Sequence, residues 1–301
     1  MMAAEKNHHW RGELRVNEPM SGHTSWRTGG CVRRFFRPAD LDDLCDFLQE
    51  TGPHEPLLWL GLGSNLLVRD GGFPGTVIFT LGALTELEWL DAVTLRVGAG
   101  VTCAKVARET ARQGLTGVEF LAGIPGTMGG ALAMNAGAFG GETWNHISAV
   151  ETIDRKGRLH KRLPKEYRVG YRAVEGVGDE WFVAARLSLQ HGDAGAALSH
   201  IRELLAQRGA TQPTNQYSCG SVFRNPPGDH AARLIESAGL KGRTLGGAQV
   251  SEKHANFIVN TGNASATDIE TLINQVQGRV EQLYGVRLET EVRIVGDHAA
   301  G

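Results

Sequence analysis

The sequence carries little net charge and few cysteines, and each scarcity excludes a class of protein. Its 301 residues include 31 basic and 33 acidic side chains, for a formal net charge of −2. Such a balance argues against binding nucleic acid or an anionic membrane through bulk charge. The four cysteines, Cys31, Cys45, Cys103 and Cys219, form no CxxC pair. A chain this long with so few cysteines is neither a disulfide scaffold nor a zinc ribbon, so we expect reduced thiols in a cytoplasmic protein without a metal site.

Long hydrophobic runs are also scarce. The N-terminus is polar and lacks the apolar core of a secretory signal. Residues 120–142, FLAGIPGTMGGALAMNAGAFGGE, are the only candidate for a membrane span, with Glu142 as their single charge. This stretch contains seven glycines, together with Pro125 and Asn135, and has no body rich in leucine, isoleucine and valine. We therefore do not predict a transmembrane helix there.

Two familiar nucleotide-binding signatures are absent as well. No G-x-G-x-x-G occurs, and no Gly-Lys-Ser/Thr follows either glycine-rich segment, GLGSNLL (61–67) or GIPGTMGG (123–130). Tight turns between close-packed strands would explain either segment alone. Two uncharged segments in one chain make a ligand-contacting surface equally plausible. There, backbone N–H groups with Ser64, Thr127 and Asn135 would suit a pyrophosphate.

Hydrophobic periodicity predicts mixed helices and strands. Helices are expected at 39–51, 102–113, 198–209 and 265–284 from their apolar faces and capping residues. Alternating runs predict a hairpin around Asp154–Gly157, a strand at 181–189 and a half-exposed strand over the terminal run VRLETEVRIV. A small polar segment, residues 191–195, marks a domain boundary. Because the elements follow no regular βαβ order, the fold class is α+β rather than doubly wound.

Three further segments contain residues suited to chemistry. In SCGSVFRNPPG, Ser221 could donate a proton, with Cys219 as its rival because a thiol is the stronger acid. In GYR, Arg172 beside Tyr171 could grip a carboxylate through two hydrogen bonds, although a solvated arginine is the commoner case. In the terminal run, Glu291 belongs to a charged face that is most simply exposed to solvent. Residue chemistry alone leaves these alternatives open.

Together these segments resemble the UDP-N-acetylenolpyruvoylglucosamine reductase family, whose members are also called UDP-N-acetylmuramate dehydrogenases. The resemblance extends in order along nearly the whole chain, which makes it far more specific than any single motif. The matching segments are HTSWRTGG (23–30), GLGSNLLVRD (61–70), GVEFLAGIPGTMGGALAMNAGAFGGE (117–142), GYR (170–172), CGSVFRNP (219–226), LIESAGLKG (234–242), VSEKHANFIVN (250–260) and LETEVRIVG (288–296).

The resemblance implies a fold and a cofactor. The fold would be a vanillyl-alcohol-oxidase-like (PCMH-type) FAD-binding fold of two subdomains, 1–80 and 81–191, plus a C-terminal α/β substrate-binding domain, 192–301. Only eight residues separate Arg172 from Trp181, which matches the shorter, second type of the family that lacks a tyrosine loop. FAD would be the cofactor and NADPH the co-substrate. The residues implied to hold FAD are Gly61, Leu62, Gly63, Ser64, Asn65, Leu66, Gly123, Ile124, Pro125, Gly126, Thr127, Gly129, Gly130, Asn135, Gly137 and Arg293.

The resemblance also implies a reaction. Hydride would pass from NADPH to FAD N5 and then to UDP-N-acetylglucosamine enolpyruvate, giving UDP-N-acetylmuramate for peptidoglycan. Arg172 would bind the carboxylate, Ser221 would protonate the enolate, and Glu291 would assist. The implied substrate-binding residues are Tyr171, Arg224, Asn225, Lys241 and His254. Partners would be small molecules, with no nucleic acid or membrane. The alternatives are another FAD oxidoreductase of the same fold and a non-enzymatic UDP-sugar or flavin binder.

Overall fold

The computed structural model describes residues 10–176 and 178–299. Its first sheet has the strand order β1-β2-β5-β3, with β1 antiparallel to β2 and the other pairs parallel. Helix α1 covers one face, and the rings of Phe36 and Phe47 stack 3.8 Å apart between them. The Asp40 side chain caps α1 by accepting from the Asp43 N–H, which confirms the predicted helix. The elements are β1 (Glu13–Pro19), β2 (Cys31–Arg37), α1 (Leu41–Glu50), β3 (Leu57–Leu60), β4 (Leu66–Val68) and β5 (Phe73–Phe79).

The second sheet is antiparallel throughout, in the order β12-β11-β15-β7-β6. The predicted hairpin at Asp154–Gly157 is present between β11 and β12. Thr102 caps α2 as predicted, accepting from the Lys105 N–H. The elements are β6 (Leu87–Trp89), β7 (Thr94–Gly98), α2 (Cys103–Arg112), β8 (Leu115–Thr116), α3 (Met128–Ala133), β9 (Gly137–Ala138), β10 (Gly141–Glu142), β11 (Ile147–Asp154), β12 (Leu159–Arg162), β13 (Arg168–Gly170), β14 (Ala173–Glu175), β15 (Glu180–Ser188) and β16 (Gln190–His191).

A third sheet, in the order β17-β20-β19-β18, packs against two helices of the C-terminal part. Ser265 and Asp268 form the predicted capping box of α6. The sequence predicts a buried face for α6 formed by Ile269, Leu272, Ile273, Val276, Val280 and Leu283. All of these lie in the core except Leu283, which is 43% exposed because the last helical turn extends past the core. The elements are α4 (Ala194–Thr211), β17 (Tyr217–Ser218), α5 (Ala231–Ser237), β18 (Thr244–Leu245), β19 (Ala248–Val250), β20 (Ile258–Asn260), α6 (Ala266–Tyr284) and β21 (Arg293–Val295).

Helix α4 is longer than predicted at both ends. It begins directly after Asp193, whose side chain accepts from the Ala196 N–H, and it continues through Gly209 to Thr211. A single glycine costs a helix only about 1 kcal/mol, which tertiary packing readily offsets. Ala197 and Ile201 supply that packing by lying in the core beside α2. The prediction that Gly209 ends the helix was therefore wrong.

The terminal strand is shorter than predicted. Only β21 is regular, and it pairs in parallel with β4. Before it, the Glu291 N–H donates to the Val222 carbonyl (2.8 Å), and Thr290 bridges to Phe223. These bonds to another loop replace a strand ladder. The Glu291 side chain is only 13% exposed, so its expected place on a solvent face was wrong.

The C-terminal part is fastened to the first sheet at several points. Arg69 makes a bidentate ion pair with Glu270 at 2.8 and 2.9 Å. Asp70 accepts from the first backbone N–H groups of α6, at Ala266 and Thr267. The core around α6 also includes Leu67 from β4, together with Trp26. Within residues 10–176 and 178–299, no helix is both long and apolar enough to span a bilayer.

Candidate active site

A cleft runs between the loop at 61–66 and the segment at 123–137. Its three adjoining cavities have volumes of about 310, 180 and 200 Å³. The first two share Ser64 and Asn65 in their walls, and the last two share Gly61 and Gly130. The cavities therefore form one continuous path long enough for an extended ligand.

The loop at 61–66 presents unused backbone donors to this cleft. Among the described residues, no backbone N–H group of 61–65 donates a hydrogen bond. A hydrogen bond from the Ser25 N–H to the Gly63 carbonyl (3.0 Å) anchors the loop to the preceding segment of the chain. Gly63 has φ +70°, and a Cβ there would lie 2.0 Å from the His23 carbonyl oxygen. The fold thus requires this glycine, and the loop forms a rigid set of donors suited to an anion.

The opposite wall combines open space with a hydroxyl that has no partner. A Cβ on Gly126 would meet no described atom closer than 3.7 Å, and one on Gly130 none closer than 3.9 Å. Packing within the protein does not explain why these two positions lack side chains. The Thr127 hydroxyl is buried and has no hydrogen-bond partner in the described chain. The free N–H groups of 61–65, the unpaired Thr127 hydroxyl and the open space beside Gly126 and Gly130 together fit the diphosphate of FAD.

The other expected FAD residues divide by position. Those that line the cleft are Leu62, Leu66, Gly123, Ile124, Pro125, Gly129, Gly137 and Arg293. Arg293 has no ion-pair partner among the described residues, so its charge is free for a phosphate. Asn135 is different, because its amide bonds to Glu142, Gly170 and Trp144. Asn135 therefore holds the neighbouring hairpins together.

Arg172 and Glu291 meet at the 310 Å³ cavity. Arg172 lies at the tip of the β13–β14 hairpin with φ +54°, an uncommon conformation for a residue with a side chain. Its Nη2 donates to the Gly137 carbonyl (2.7 Å), and its Nε lies 3.4 Å from Glu291 Oε1. Tyr171, 47% exposed at the rim, lies with its ring 5.1 Å below the guanidinium. The arginine is therefore fixed while it still faces the cavity.

The Glu291 carboxyl has an elevated pKa. Burial raises its pKa, while the positive charges of Arg172 and Arg224 lower it and offset part of that rise. Asn65 Nδ2 donates to the Glu291 carbonyl (3.1 Å) and so ties this residue to the glycine-rich loop. A glutamate in this environment can carry a proton at a higher pH than an exposed one.

Ser221 lines the same cavity. Asn256 pins its loop by accepting from the Phe223 N–H (3.0 Å) and donating to the Phe223 carbonyl (2.8 Å). The Ser221 hydroxyl itself makes no hydrogen bond to any described residue. Cys219 is 2% exposed, and burial raises the pKa of its thiol to about 12. The thiol donates to the carbonyls of Gly63 and Leu66 (3.5 Å), whereas the Ser221 hydroxyl is free, and this difference favours the serine.

The remaining substrate candidates lie farther away. Asn225 caps α5 by accepting from the Ala231 N–H (3.0 Å). Lys241 pairs with Glu236 (2.9 Å), and burial lowers the pKa of His254. Neither Lys241 nor His254 lines the 310 Å³ cavity. The structure thus brings together Arg172, Ser221 and Glu291 but not these three. The structure also adds Arg208 of α4 and Gln212 directly after it, in a segment that carried no sequence signal beyond an ordinary amphipathic helix.

Comparisons with known proteins agree with this architecture. Residues 32–162 match the model of an FAD binding domain. A solved structure, UDP-N-acetylenolpyruvylglucosamine reductase from Thermus caldophilus, superposes with a TM-score of 0.80 at 34% identity, covering 94% of this chain and 98% of that one. The α+β fold predicted by resemblance, with its PCMH-type FAD-binding part, is confirmed. The fold and the cleft define an FAD-dependent oxidoreductase.

The family follows from the C-terminal part and from close relatives. Residues 212–295 match the C-terminal domain of UDP-N-acetylenolpyruvoylglucosamine reductase. Curated proteins of that name are 60% identical over 290 residues in Methylococcus capsulatus (96% of this chain, 95% of the relative) and 59% over 297 residues in Alkalilimnicola ehrlichii (99% of each). The chain belongs to the UDP-N-acetylenolpyruvoylglucosamine reductase family, and its 301 residues fit the short form.

Proposed function

We propose that this chain uses FAD and NADPH to reduce UDP-N-acetylglucosamine enolpyruvate to UDP-N-acetylmuramate, a precursor of peptidoglycan. The observation that carries the proposal is a group of three side chains in the wall of one cavity. There the Arg172–Glu291 pair, 3.4 Å apart, stands beside the free hydroxyl of Ser221 at the end of the FAD cleft. Reduction of an enolpyruvyl ether requires three groups: a cation that binds the carboxylate, a neighbouring acid and a proton donor.

The purified protein should be yellow and should be bleached by NADPH without oxygen. Addition of UDP-N-acetylglucosamine enolpyruvate should then restore the flavin absorbance within one turnover. Recovery in oxygen alone, with no response to the enolpyruvyl compound, would instead indicate an oxidase of the same fold. Stopped-flow absorbance near the flavin maximum distinguishes the two.

FAD would be held by the chain's own donors. We assign its diphosphate to the N–H groups of 61–65, to Thr127 and to the free guanidinium of Arg293. Its adenosine half would enter the 200 Å³ cavity. There Trp59 and Trp181 stack 5.2 Å apart, and the Trp59 indole N–H has no partner among the described residues. When bound, FAD supplies the hydride carrier between NADPH and the substrate.

Arg172 would act on the substrate carboxylate. Hydride addition at the terminal CH₂ carbon places negative charge on the neighbouring carbon, and the carboxylate shares that charge as an enolate. A guanidinium on the carboxylate gains strength as the charge grows, so its binding favours the transition state over the ground state. Its anchorage to Gly137 means that little reorganisation is needed during the reaction.

Ser221 would complete the reaction with a proton. A hydroxyl is a weak acid, but the α carbon of the enolate is a strong base, so a well-placed serine suffices. Its freedom from internal hydrogen bonds leaves the hydroxyl able to turn toward that carbon. Glu291 would donate a hydrogen bond to the enolate when protonated, or orient Arg172 when ionised.

Glu291→Gln tests the role of the carboxyl. We expect FAD to stay bound and flavin reduction by NADPH to persist, while reoxidation by the enolpyruvyl substrate slows by about a hundredfold. Burial raises the pKa of Glu291, so the rate of flavin reoxidation in the wild type should change with pH above the ordinary glutamate range. The variant should lose this limb of the pH profile. Flavin content and stopped-flow rates at several pH values check both points. Loss of flavin from the variant would mean that Glu291 is structural.

Other assignments complete the proposal. Tyr171, Asn225, Lys241 and His254 would contact the substrate from the rim, with Lys241 and His254 reached by the diphosphate or by NADPH. Residues 1–80 and 81–191 would form the two FAD-binding subdomains and 192–301 the substrate domain; the support is that one sheet falls mainly in each range. We also place the reaction in the cytoplasm and, through its product, link it to cell shape and cell division.

A further inference from the structure

The Arg224 side chain lies behind the catalytic pair and contacts protein groups. Its Nη2 donates to the backbone carbonyl of Arg172 (3.1 Å), and its Nη1 lies 3.8 Å from Glu289 Oε2. Its own N–H donates to the Glu289 carbonyl (2.9 Å). The Nε is buried without a hydrogen-bond partner in the described chain. The guanidinium is therefore turned toward the backbone that carries the catalytic groups, a poor orientation for a phosphate in solvent.

The carbonyl that Arg224 holds belongs to a strained residue. A φ of +54° costs a residue other than glycine about 1 kcal/mol or more, and it persists only where neighbouring contacts enforce it. Strands β13 and β14 have three residues each and are largely exposed, so the hairpin alone cannot enforce it. The bond to Gly137 fixes the guanidinium end of Arg172. The bond from Arg224 fixes its backbone end.

Arg224 also joins two parts of the molecule. The β13–β14 hairpin lies between β12 and β15 of the second sheet, whereas Arg224 lies three residues after Ser221 on the loop between β17 and α5. Its hydrogen bond to Arg172 thus directly connects the hairpin that carries Arg172 with the loop that carries Ser221. Arg224 also affects Glu291, because its positive charge, like that of Arg172, lowers the pKa of this carboxyl.

We propose that Arg224 is a positioning residue that sets the placement of the Arg172 guanidinium relative to the Ser221 hydroxyl. The inference rests on the proposed function of those two residues, and it differs from the expectation that Arg224 is a substrate-binding residue. A tie to a carbonyl requires a donor at one point, and removal of its charge also alters Glu291.

Arg224→Met and Arg224→Lys test the inference, with Arg279→Met on the exposed side of α6 as the matched control. We expect Arg224→Met to slow flavin reoxidation by the enolpyruvyl substrate at least tenfold, with the Kd of FAD and the KM for NADPH changed less than twofold. Loss of one charge should move the Glu291 limb of the pH profile to higher pH. Arg224→Lys keeps the charge and one donor, so it should restore most of the rate and leave the limb in place.

Two outcomes would overturn the inference. One is a raised KM for NADPH or for the UDP-sugar at unchanged kcat and unchanged pH limb, the signature of a phosphate contact. The other is wild-type behaviour of Arg224→Met. If Arg224→Met does not fold, Arg224→Gln, which lacks the charge but keeps an N–H donor, decides: a fall in kcat at unchanged KM supports the inference, and a rise in KM alone or wild-type behaviour refutes it. Failure of the proposed function differs, because then Ser221→Ala would be reoxidised as fast as the wild type.

Discussion

Replacement of Ser221 by alanine should leave flavin reduction by NADPH intact and strongly slow reoxidation by the enolpyruvyl substrate. The hydroxyl has no internal hydrogen bond to lose, and Asn256 holds its loop independently, so the fold should not change. A positioned acid contributes on the order of 10²–10⁴ in rate, and we expect a loss in that range. Anaerobic stopped-flow measurement of the two half-reactions separates the surviving step from the lost one.

Cys219→Ser is the matched control for this experiment. The thiol lies two residues from Ser221, but it is buried and faces the carbonyls of Gly63 and Leu66 at 3.5 Å. A serine there keeps a small polar group in the same place and should leave both half-reactions close to wild type. If Ser221→Ala turns over within about tenfold of wild type, roughly 1.4 kcal/mol of barrier, Ser221 is not the proton donor.

Replacement of Gly130 or Gly126 by valine should yield a folded protein without colour. A Cβ at either position meets only ordinary contacts within the described chain, so the first carbon of a new side chain fits without displacing protein atoms. The added methyl groups would occupy the space assigned to FAD, and we expect the Kd of FAD to rise about a hundredfold or more. Flavin absorbance per protein and titration of the apoprotein with FAD measure the effect.

Gly278 provides the control for the glycine variants. It lies in α6, where an added methyl group would have no described atom of another element within 4 Å, and it is remote from the cleft. Gly278→Val should keep its full flavin content. Stoichiometric flavin in Gly130→Val would place the diphosphate elsewhere and would contradict the assignment of this wall.

Local signals in the sequence predicted the helices with clear ends. Caps at Thr102 and Ser265 and the turn at Asp154–Gly157 act over a few residues, so their chemistry is visible in the sequence. The terminal run failed because its alternation is equally local, whereas its conformation depends on the Val222 carbonyl and the Asn65 amide. Both partners lie at least about 70 residues away, beyond the range of any pattern of neighbours.

The sequence likewise predicted some parts of the candidate site and not others. The glycine-rich segments indicated a ligand-contacting surface from composition, and the missing signatures excluded the commoner alternatives. That Arg172, Ser221 and Glu291 meet followed only from family resemblance, since they come from a hairpin tip, a loop and the approach to β21. Arg208 had no signal, because its place in the cavity depends on how far α4 extends.

The ties between the C-terminal part and the first sheet bear on how this chain can be divided. A fragment starting at residue 192 would lose Asp70 from the start of α6, Leu67 and Trp26 from its interior, and the strand that β21 pairs with. It would expose apolar surface and unpaired backbone along one side. The part of the chain from residue 192 onward is thus not a unit of folding by itself, and its assembly depends on residues made some 120 positions earlier in translation.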